Sequence, residues 1–342
     1  MVEMTTQEIQ QQAGKILSQV AGYVGTRTIN MGMRFGLFEE IAKHPTGITA
    51  EALATKKGLD PFYVRVWARS AYASEVLEVG DSDAYTLAPH MDKLLVNQDF
   101  PGYLGAITEV MLQPEIFDRF ADNFHSGQRI WWDDCGPEFI RGVSATGRTF
   151  YNRLIPNGFS QVPGLTERLT QGARVLETAC GAGAGLVKMA QAYPQSSFVG
   201  VDGDSYSLEL AGELLRDSGL EGKVSLTRST LEEFSADGEF DMVLNNISMH
   251  ECRDIDRVTR NVHQALRPDG YFIISDFPFP ESIEECRTVP ARIMSGIQFF
   301  EALIDDQLLS KKAYIELLGK HGFRNVSAFD ITPVHAVTHG QK

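Results

Sequence analysis

The stretch ARVLETACGAGAGL combines one acidic residue with three glycines at alternating positions. Glu177 lies near the end of an apolar segment, and Gly181, Gly183 and Gly185 follow it. Glycines directly after a strand let the backbone turn tightly and approach a ligand closely. Asp202 ends the apolar segment SFVGVD about twenty residues further on, at the spacing of a ribose-binding acid. A negative Glu177 would repel the pyrophosphate of a dinucleotide, so the pattern indicates a ligand with a positive charge.

His250 and Glu251 follow the apolar segment FDMVLNN and form a second centre that could do chemistry. A histidine with an unperturbed pKa of about 6.5 can act as a general base near neutral pH. Imidazole and carboxylate are also good ligands for iron or zinc, so a metal site is an alternative. A third ligand could come from the segment GIQFFEALIDDQ, which offers Gln298, Glu301, Asp305 and Asp306.

The elements that would position these residues alternate along the chain from about Thr166. Segments that predict strands include ARVLETA, SFVGVD, FDMVLNN and GYFIISD, and segments such as SYSLELAGELLRDSG and DIDRVTRNVHQALRP predict helices between them. This alternation predicts an α/β domain over residues 166–342, with a mostly parallel, doubly wound, Rossmann-like sheet. Ligands of such sheets bind beyond the carboxyl ends of the strands, where the candidate residues are expected.

These motifs resemble those of class I S-adenosylmethionine (SAM) methyltransferases, and the resemblance runs from about Arg174 to Asp276. It includes the glycine-rich turn, the acid that ends the second strand, the segments STLEEF and FDMVLNN, and LRPDGYFIISD around the fifth strand. The resemblance implies SAM as the cofactor, with Gly181 and Gly183 against its methionine part. Asp202 would bind both ribose hydroxyls, and Glu177 would act on the amino end, directly or through water.

The resemblance implies further cofactor contacts after the third strand and at the end of the fourth. Ser229, Thr230 and Leu231 occupy the segment that in the family normally offers an acid to the adenine amino group. Asn245 and Asn246 end the fourth strand, and Asn246 stands where the family often has a lysine.

His250 matches the histidine of the H-D-W motif, which in this family deprotonates a hydroxyl as it attacks the SAM methyl group. Glu251 replaces the aspartate and Cys252 replaces the tryptophan. The acid that braces the histidine from a later helix is expected to be missing, with Leu308 or Leu309 near its place. The favoured function is SAM-dependent O-methylation of a hydroxyl in a natural-product-type small molecule, with His250 and Glu251 as catalytic residues.

Two alternatives stay open at this point. With His250 and Glu251 as metal ligands, the chain would be similar to methyltransferases that methylate carbon beside the carbonyl of α-keto acids, where a metal holds the keto acid and promotes its enolisation. A SAM-binding regulator, or a relative that transfers no methyl group, would use the same pocket.

Residues 1–97 are predicted to form a mainly helical domain that ends in a small β element. Thr49 and Asp60 are predicted helix N-caps, Gly58 is predicted to end the helix between them, and VLEVG and AYTLA predict a two-stranded wing. This order resembles a winged helix-turn-helix. With the C-terminal half, it makes the whole chain similar to the two-domain small-molecule O-methyltransferase family, which implies a homodimer formed through this domain.

The third helix of this domain, DPFYVRVWARSAYAS, argues against binding to nucleic acid. It carries only Arg65 and Arg69 as positive charges and is apolar around most of its circumference. A helix that reads a DNA groove needs a polar, basic outer face, whereas an apolar helix packs against neighbours. The composition therefore favours packing or dimerisation.

Residues 98–165 are rich in aromatic side chains and are predicted to be mostly helical, with a break at RIWWDDCGP. So many aromatic residues are not typical of a flexible linker, and we expect this connector to form one wall of a substrate pocket. Within TGRTFYNRLIP, Arg148 and Tyr151 are the candidate substrate contacts.

The composition of the 342-residue chain sets the remaining expectations. A net charge of −14 and a pI near 5.0 disfavour nucleic-acid phosphates as partners. The four cysteines are scattered without CxxC pairs, which favours free thiols over a structural zinc site. The N-terminal segment lacks the apolar core of a signal peptide, and no apolar run could span a bilayer, so a cytoplasmic protein without membrane partners is expected.

Overall fold

The computed structural model describes residues 6–130 and 132–342, which form two compact units that divide between Leu112 and Gln113. The first five residues of the predicted N-terminal domain lie outside the described residues, and so does Trp131 in the predicted break RIWWDDCGP. Within the described part, every helix is too short or too polar to cross a membrane.

The N-terminal unit packs helices around a three-stranded sheet of order β1-β3-β2. Its elements are α1 (Thr6–Arg34), α2 (Leu37–Ala42), β1 (Ile48–Thr49), α3 (Ala50–Lys57), α4 (Pro61–Ala73), β2 (Leu77–Val79), β3 (Ala84–Leu87) and α5 (Gly105–Val110).

Local sequence signals in this unit are confirmed. The Thr49 side chain accepts a hydrogen bond from the Ala52 amide, and Gly58 ends α3 in the left-handed conformation with φ of 65°. Asp60 caps α4 by accepting from two backbone amides, and β2 and β3 pair as the predicted antiparallel wing. The two-residue strand β1 was not predicted; it pairs with β3 through Ile48 and Tyr85.

Helix α4 is packed on one face and exposed on another, which fits the predicted role in packing, and the predicted dimerisation stays a prediction. Val64 and Trp67 are buried, and the Trp67 indole donates a hydrogen bond to the Thr28 carbonyl on α1. On the opposite face, Phe62 and Tyr63 are 62% and 75% exposed. Among the described residues, nothing covers these two aromatic side chains.

The C-terminal unit carries the candidate residues. Its elements are α6 (Asp118–Asp122), α7 (Pro137–Arg153), α8 (Leu165–Gln171), β4 (Arg174–Thr178), α9 (Ala184–Ala192), β5 (Ser197–Asp202), α10 (Ser205–Asp217), β6 (Val224–Arg228), β7 (Phe240–Asn246), α11 (Ile255–Ala265), β8 (Leu266–Asp276), α12 (Val289–Leu303), α13 (Lys311–Lys320), β9 (Arg324–Thr332) and β10 (His335–Gln341).

The predicted doubly wound α/β fold is confirmed. A seven-stranded sheet has the order β6-β5-β4-β7-β8-β10-β9, with parallel pairing from β6 to β8 and an antiparallel β10 beside β8 and β9. Successive residues of β4 face different cores: Val175 packs with residues of α9, and Leu176 packs with residues of α11 and α13. Because helices cover both faces, all seven residues of β7 are buried.

Candidate active site

The glycine-rich turn lies at the carboxyl end of β4, as predicted. Gly181 and Gly183 have φ of 51° and 79°, the left-handed region that glycine adopts without strain. A β-carbon on Gly183 would lie 3.0 Å from the Ala211 side chain, so α9 starts close against α10. The predicted glycines therefore permit both a tight turn and close helix packing.

Asp202, at the end of β5, holds this turn in place. One carboxylate oxygen accepts a hydrogen bond from the Gly181 amide at 2.8 Å, and the other accepts from the Asp204 amide at 2.9 Å. Burial raises the pKa of Asp202, while these backbone amides oppose the rise. The structure thus brings together two of the residues that the sequence assigned to one cofactor site.

Glu177 is fully buried beneath the turn. Among the described residues neither of its carboxylate oxygens has a hydrogen-bond partner. Burial raises the pKa of Glu177 to about 8, the nearby Tyr151 hydroxyl opposes this rise, and the negative charge of Asp202 adds to it. A β-carbon on Gly185 would lie 2.3 Å from the Glu177 carboxylate and 2.4 Å from the Tyr151 ring, so this glycine makes room for both side chains.

His250 lies on a single helical turn after β7, and Asp276 at the end of β8 orients its ring. The Nδ1 atom of His250 is 2.8 Å from one Asp276 oxygen, which also accepts a hydrogen bond from the Tyr314 hydroxyl. Leu308 and Leu309 offer no carboxylate, as expected, but the sequence did not predict that Asp276 would brace the ring instead. The brace comes from the end of the neighbouring strand, because parallel strands β7 and β8 present their carboxyl ends side by side.

The second ring nitrogen of His250 faces a carboxylate on α12. Its Nε2 atom lies 3.5 Å from an oxygen of Glu301, and both atoms are buried without a hydrogen-bond partner in the described chain. Burial lowers the pKa of His250, but the charges of Asp276 and Glu301 outweigh this and hold it well above the ordinary value. Burial, together with the charge of Glu301, also raises the pKa of Glu251.

Potential ligand atoms of His250, Glu251 and Glu301 lie within 4.8 Å of one another. We call these three residues the His250 cluster. The other candidates for a third ligand are used elsewhere or lie outside this group. Gln298 bonds to the backbone of Asp306 and Leu308, and Asp305 pairs with Arg129 at 2.7 Å. Burial and Glu301 raise the pKa of Asp306 to about 6.

Asn245 and Asn246 support the carboxyl edge of the sheet. The Asn245 amide donates to the Thr178 hydroxyl at 3.1 Å, and Asn246 accepts from the Ser275 hydroxyl at 2.7 Å. Ser275 in turn lies 2.8 Å from Nε2 of the buried His335 on β10. This row of polar side chains ties β4, β7, β8 and β10 together, and the Ser275–His335 pair was not predicted from the sequence.

Of the remaining predicted site residues, some lie near the candidate cofactor residues and one is exposed. The Ser229 amide donates to the Asp202 carbonyl at 3.0 Å, which places the segment with Thr230 and Leu231 beside the end of β5. Tyr151 is buried next to Glu177, whereas Arg148 lies on the exposed side of α7.

The C-terminal unit contains the part of the chain that matches a known family of enzymes. Residues 169–322 match a family model described as a methyltransferase domain. The chain is 27% identical over 211 residues to the methyltransferase GfsG of Streptomyces halstedii, covering 58% of this chain and 68% of that protein. It is 26% identical over 179 residues to the ubiquinone/menaquinone biosynthesis C-methyltransferase UbiE of Geotalea uraniireducens, covering 48% of this chain and 76% of that one.

Solved structures match over both units of the chain. The mitomycin 7-O-methyltransferase MmcR has a TM-score of 0.71 at 17% identity, covering 99% of this chain and 100% of its own. Human N-acetylserotonin methyltransferase, solved in complex with SAM, has a TM-score of 0.69 at 14% identity, covering 97% and 98%. At these identities the likeness concerns the two-domain fold.

Proposed function

We propose that the chain is a SAM-dependent methyltransferase that methylates a hydroxyl oxygen of a natural-product-type small molecule, with His250 as the general base; the methyltransferase-domain match and the two-domain fold support this. One observation carries this proposal: Asp276 holds Nδ1 of a buried His250 at the carboxyl edge of the sheet, while Nε2 makes no hydrogen bond in the described chain and lies 3.5 Å from the Glu301 carboxylate.

The residues around the turn fit SAM, which supplies a methyl group on a positively charged sulfur. The left-handed backbone at Gly181 and Gly183 leaves space beside the turn for the methionine part. Asp202 is already fixed by two amides and can accept further hydrogen bonds from the ribose hydroxyls. The buried, unpartnered carboxylate of Glu177 suits the positively charged amino end.

The Asp276–His250 pair suits proton removal from a hydroxyl. Asp276 and Glu301 raise the pKa of His250, so His250 must first lose its Nε2 proton to act as a base. The neutral ring then donates Nδ1–H to Asp276 and presents the Nε2 lone pair, and the imidazolium that forms again is stabilised by the same carboxylate. Transfer of a ¹³C-labelled methyl group, followed by NMR of the product, tests the acceptor. A methoxy signal supports the proposal, whereas a methyl signal on carbon contradicts it.

A second candidate function rests on the His250 cluster. In metal sites, a ligating histidine commonly donates its other ring N–H to a carboxylate, as His250 does to Asp276. Glu251 and Glu301 would supply two oxygen ligands to a divalent ion such as iron or zinc. Such an ion would favour a substrate with a carbonyl group that enolises, and hence methylation at carbon.

Metal analysis separates the two candidates. For the hydroxyl reaction, we expect protein purified without an affinity tag to carry no stoichiometric metal and to keep its activity in the presence of chelators. Glu301→Gln should then leave the metal content unchanged. About one iron or zinc ion per chain, lost in Glu301→Gln but kept in Asp305→Asn, would contradict the leading proposal and support the second. Asp305 is the matched control because it pairs with Arg129 instead of facing His250.

We also propose that the chain forms a homodimer through the exposed apolar faces of α1 and α4. Leu17 on α1 is 66% exposed, and Tyr63 on α4 is 75% exposed. We expect light scattering to give the mass of a dimer at micromolar concentration, because burying these faces removes apolar surface from water.

Tyr63→Asp should shift the dimer toward monomer, whereas Phe124→Asp, at an exposed position of the C-terminal unit, should not. A monomeric wild-type chain, or a specific complex with DNA that resists salt, would contradict this assignment.

A further inference from the structure

The carboxyl group of Glu177 is buried, with no counter-ion nearby among the described residues. It lies on β4 between Gly200 on β5 and Leu244 on β7, with no exposed surface. Neither oxygen has a hydrogen-bond partner, and no lysine or arginine pairs with it among the described residues. Removing an isolated carboxylate from water costs several kcal/mol or more, so the neutral acid is favoured.

Titratable groups from three elements face Glu177, and of these the Tyr151 hydroxyl favours the charged form. They are Tyr151 from α7, Cys180 from the turn and Asp202 from β5. None of the three can supply a positive charge, and Asp202 disfavours ionisation of Glu177 through its own negative charge. The pKa of Glu177, raised to about 8 by burial, agrees with this geometry. A cation must therefore arrive from outside the chain before this carboxylate is stable in its charged form.

We propose that Glu177 is protonated in the free enzyme and releases its proton to solvent when the cofactor binds, so that cofactor affinity is linked to pH. This inference rests on the proposed placement of the cofactor's amino end beside Glu177. The neutral acid becomes a carboxylate, the ligand's ammonium group becomes its counter-ion, and one proton leaves. The ionic contact replaces the proton because an opposite charge within a few ångströms favours the ionised carboxyl.

The sign of the pH effect follows from linkage. With a pKa of about 8 in the free enzyme, Glu177 carries a proton in about nine-tenths of the molecules at pH 7. Binding must displace that proton, so affinity should rise about tenfold per pH unit below pH 8 and level off above it.

Calorimetric titration of the full chain with S-adenosylhomocysteine tests this linkage. At pH 7, titrations in phosphate and in Tris buffer should report release of about 0.9 protons per site, and this release should fall as the pH rises through 8. Glu177→Gln should bind without proton release and without the pH dependence. Glu221→Gln, an exposed acid paired with Arg216, is the matched control and should behave as the wild type.

Binding to the wild type with no proton release at pH 7, or release that persists in Glu177→Gln, would overturn the inference while leaving the cofactor site in place. If Glu177→Gln does not fold, the wild-type series from pH 6 to 9 decides alone, because constant affinity contradicts the linkage. Absence of binding at every pH would remove the cofactor assignment and this inference with it.

Discussion

Replacing His250 by alanine should lower the rate of methyl transfer by about 10²–10⁴-fold while leaving the affinity for S-adenosylhomocysteine nearly unchanged. The loss is large because the proton of the hydroxyl would have no acceptor at the point where Nε2 now lies. The affinity for S-adenosylhomocysteine should stay unchanged because β7, β8 and α12 position His250, whereas the proposed cofactor residues follow β4 and β5. Single-turnover transfer of a labelled methyl group, beside a calorimetric titration, measures both quantities.

Two variants distinguish proton transfer from a structural effect. Asp276→Asn should also slow the reaction, because it removes the charge that favours the imidazolium, and it should move the rising limb of the pH profile of the rate toward lower pH as the pKa of His250 falls. His125→Ala changes an exposed histidine and should have no effect. A folded His250→Ala enzyme that keeps the wild-type rate would exclude His250 as the base.

Asp202→Ala should weaken cofactor binding by about 2–4 kcal/mol, which corresponds to roughly 30–1000-fold in affinity. Two charge-assisted hydrogen bonds to the ribose would be lost, and the Gly181 amide would lose the acceptor that now holds it at 2.8 Å. Titration with S-adenosylhomocysteine measures the effect.

The neighbouring acid provides the control for this substitution. Asp204 caps α10 by accepting from the Ser207 amide, so Asp204→Ala should reduce the stability of the fold more than the intrinsic cofactor affinity. Unchanged affinity in a folded Asp202→Ala protein would mean that the cofactor site lies elsewhere.

The sequence predicted the strands and turns of the C-terminal unit well, because these depend on local signals. The segments SFVGVD and FDMVLNN coincide with β5 and β7, and the acid and glycines after β4 meet at the predicted edge. The same rule could have found Asp276, since it ends a buried strand at that edge just as Asp202 does. The bracing role of Asp276 was not predicted, because the family pattern places the bracing acid on a later helix.

Other parts of the site depend on contacts between distant segments. Glu301 lies on α12, and no local periodicity shows that this helix places a carboxylate 3.5 Å from His250. The pairing of Ser275 with His335 requires β10 to run antiparallel beside β8, a register that the sequence of either strand leaves open. Side-chain patterns report what a segment buries but not which partner it meets.

Asp202 accepts hydrogen bonds from two backbone amides, and these bonds affect the free energy of ligand binding. The carboxylate and the loop beside it are fixed before any cofactor arrives, so the conformational entropy of ordering them is lost during folding and not during binding. A site preorganised in this way retains more of its contact energy as affinity. If the proposed ribose contact is correct, exchange between SAM and its demethylated product requires no refolding of this loop at each turnover.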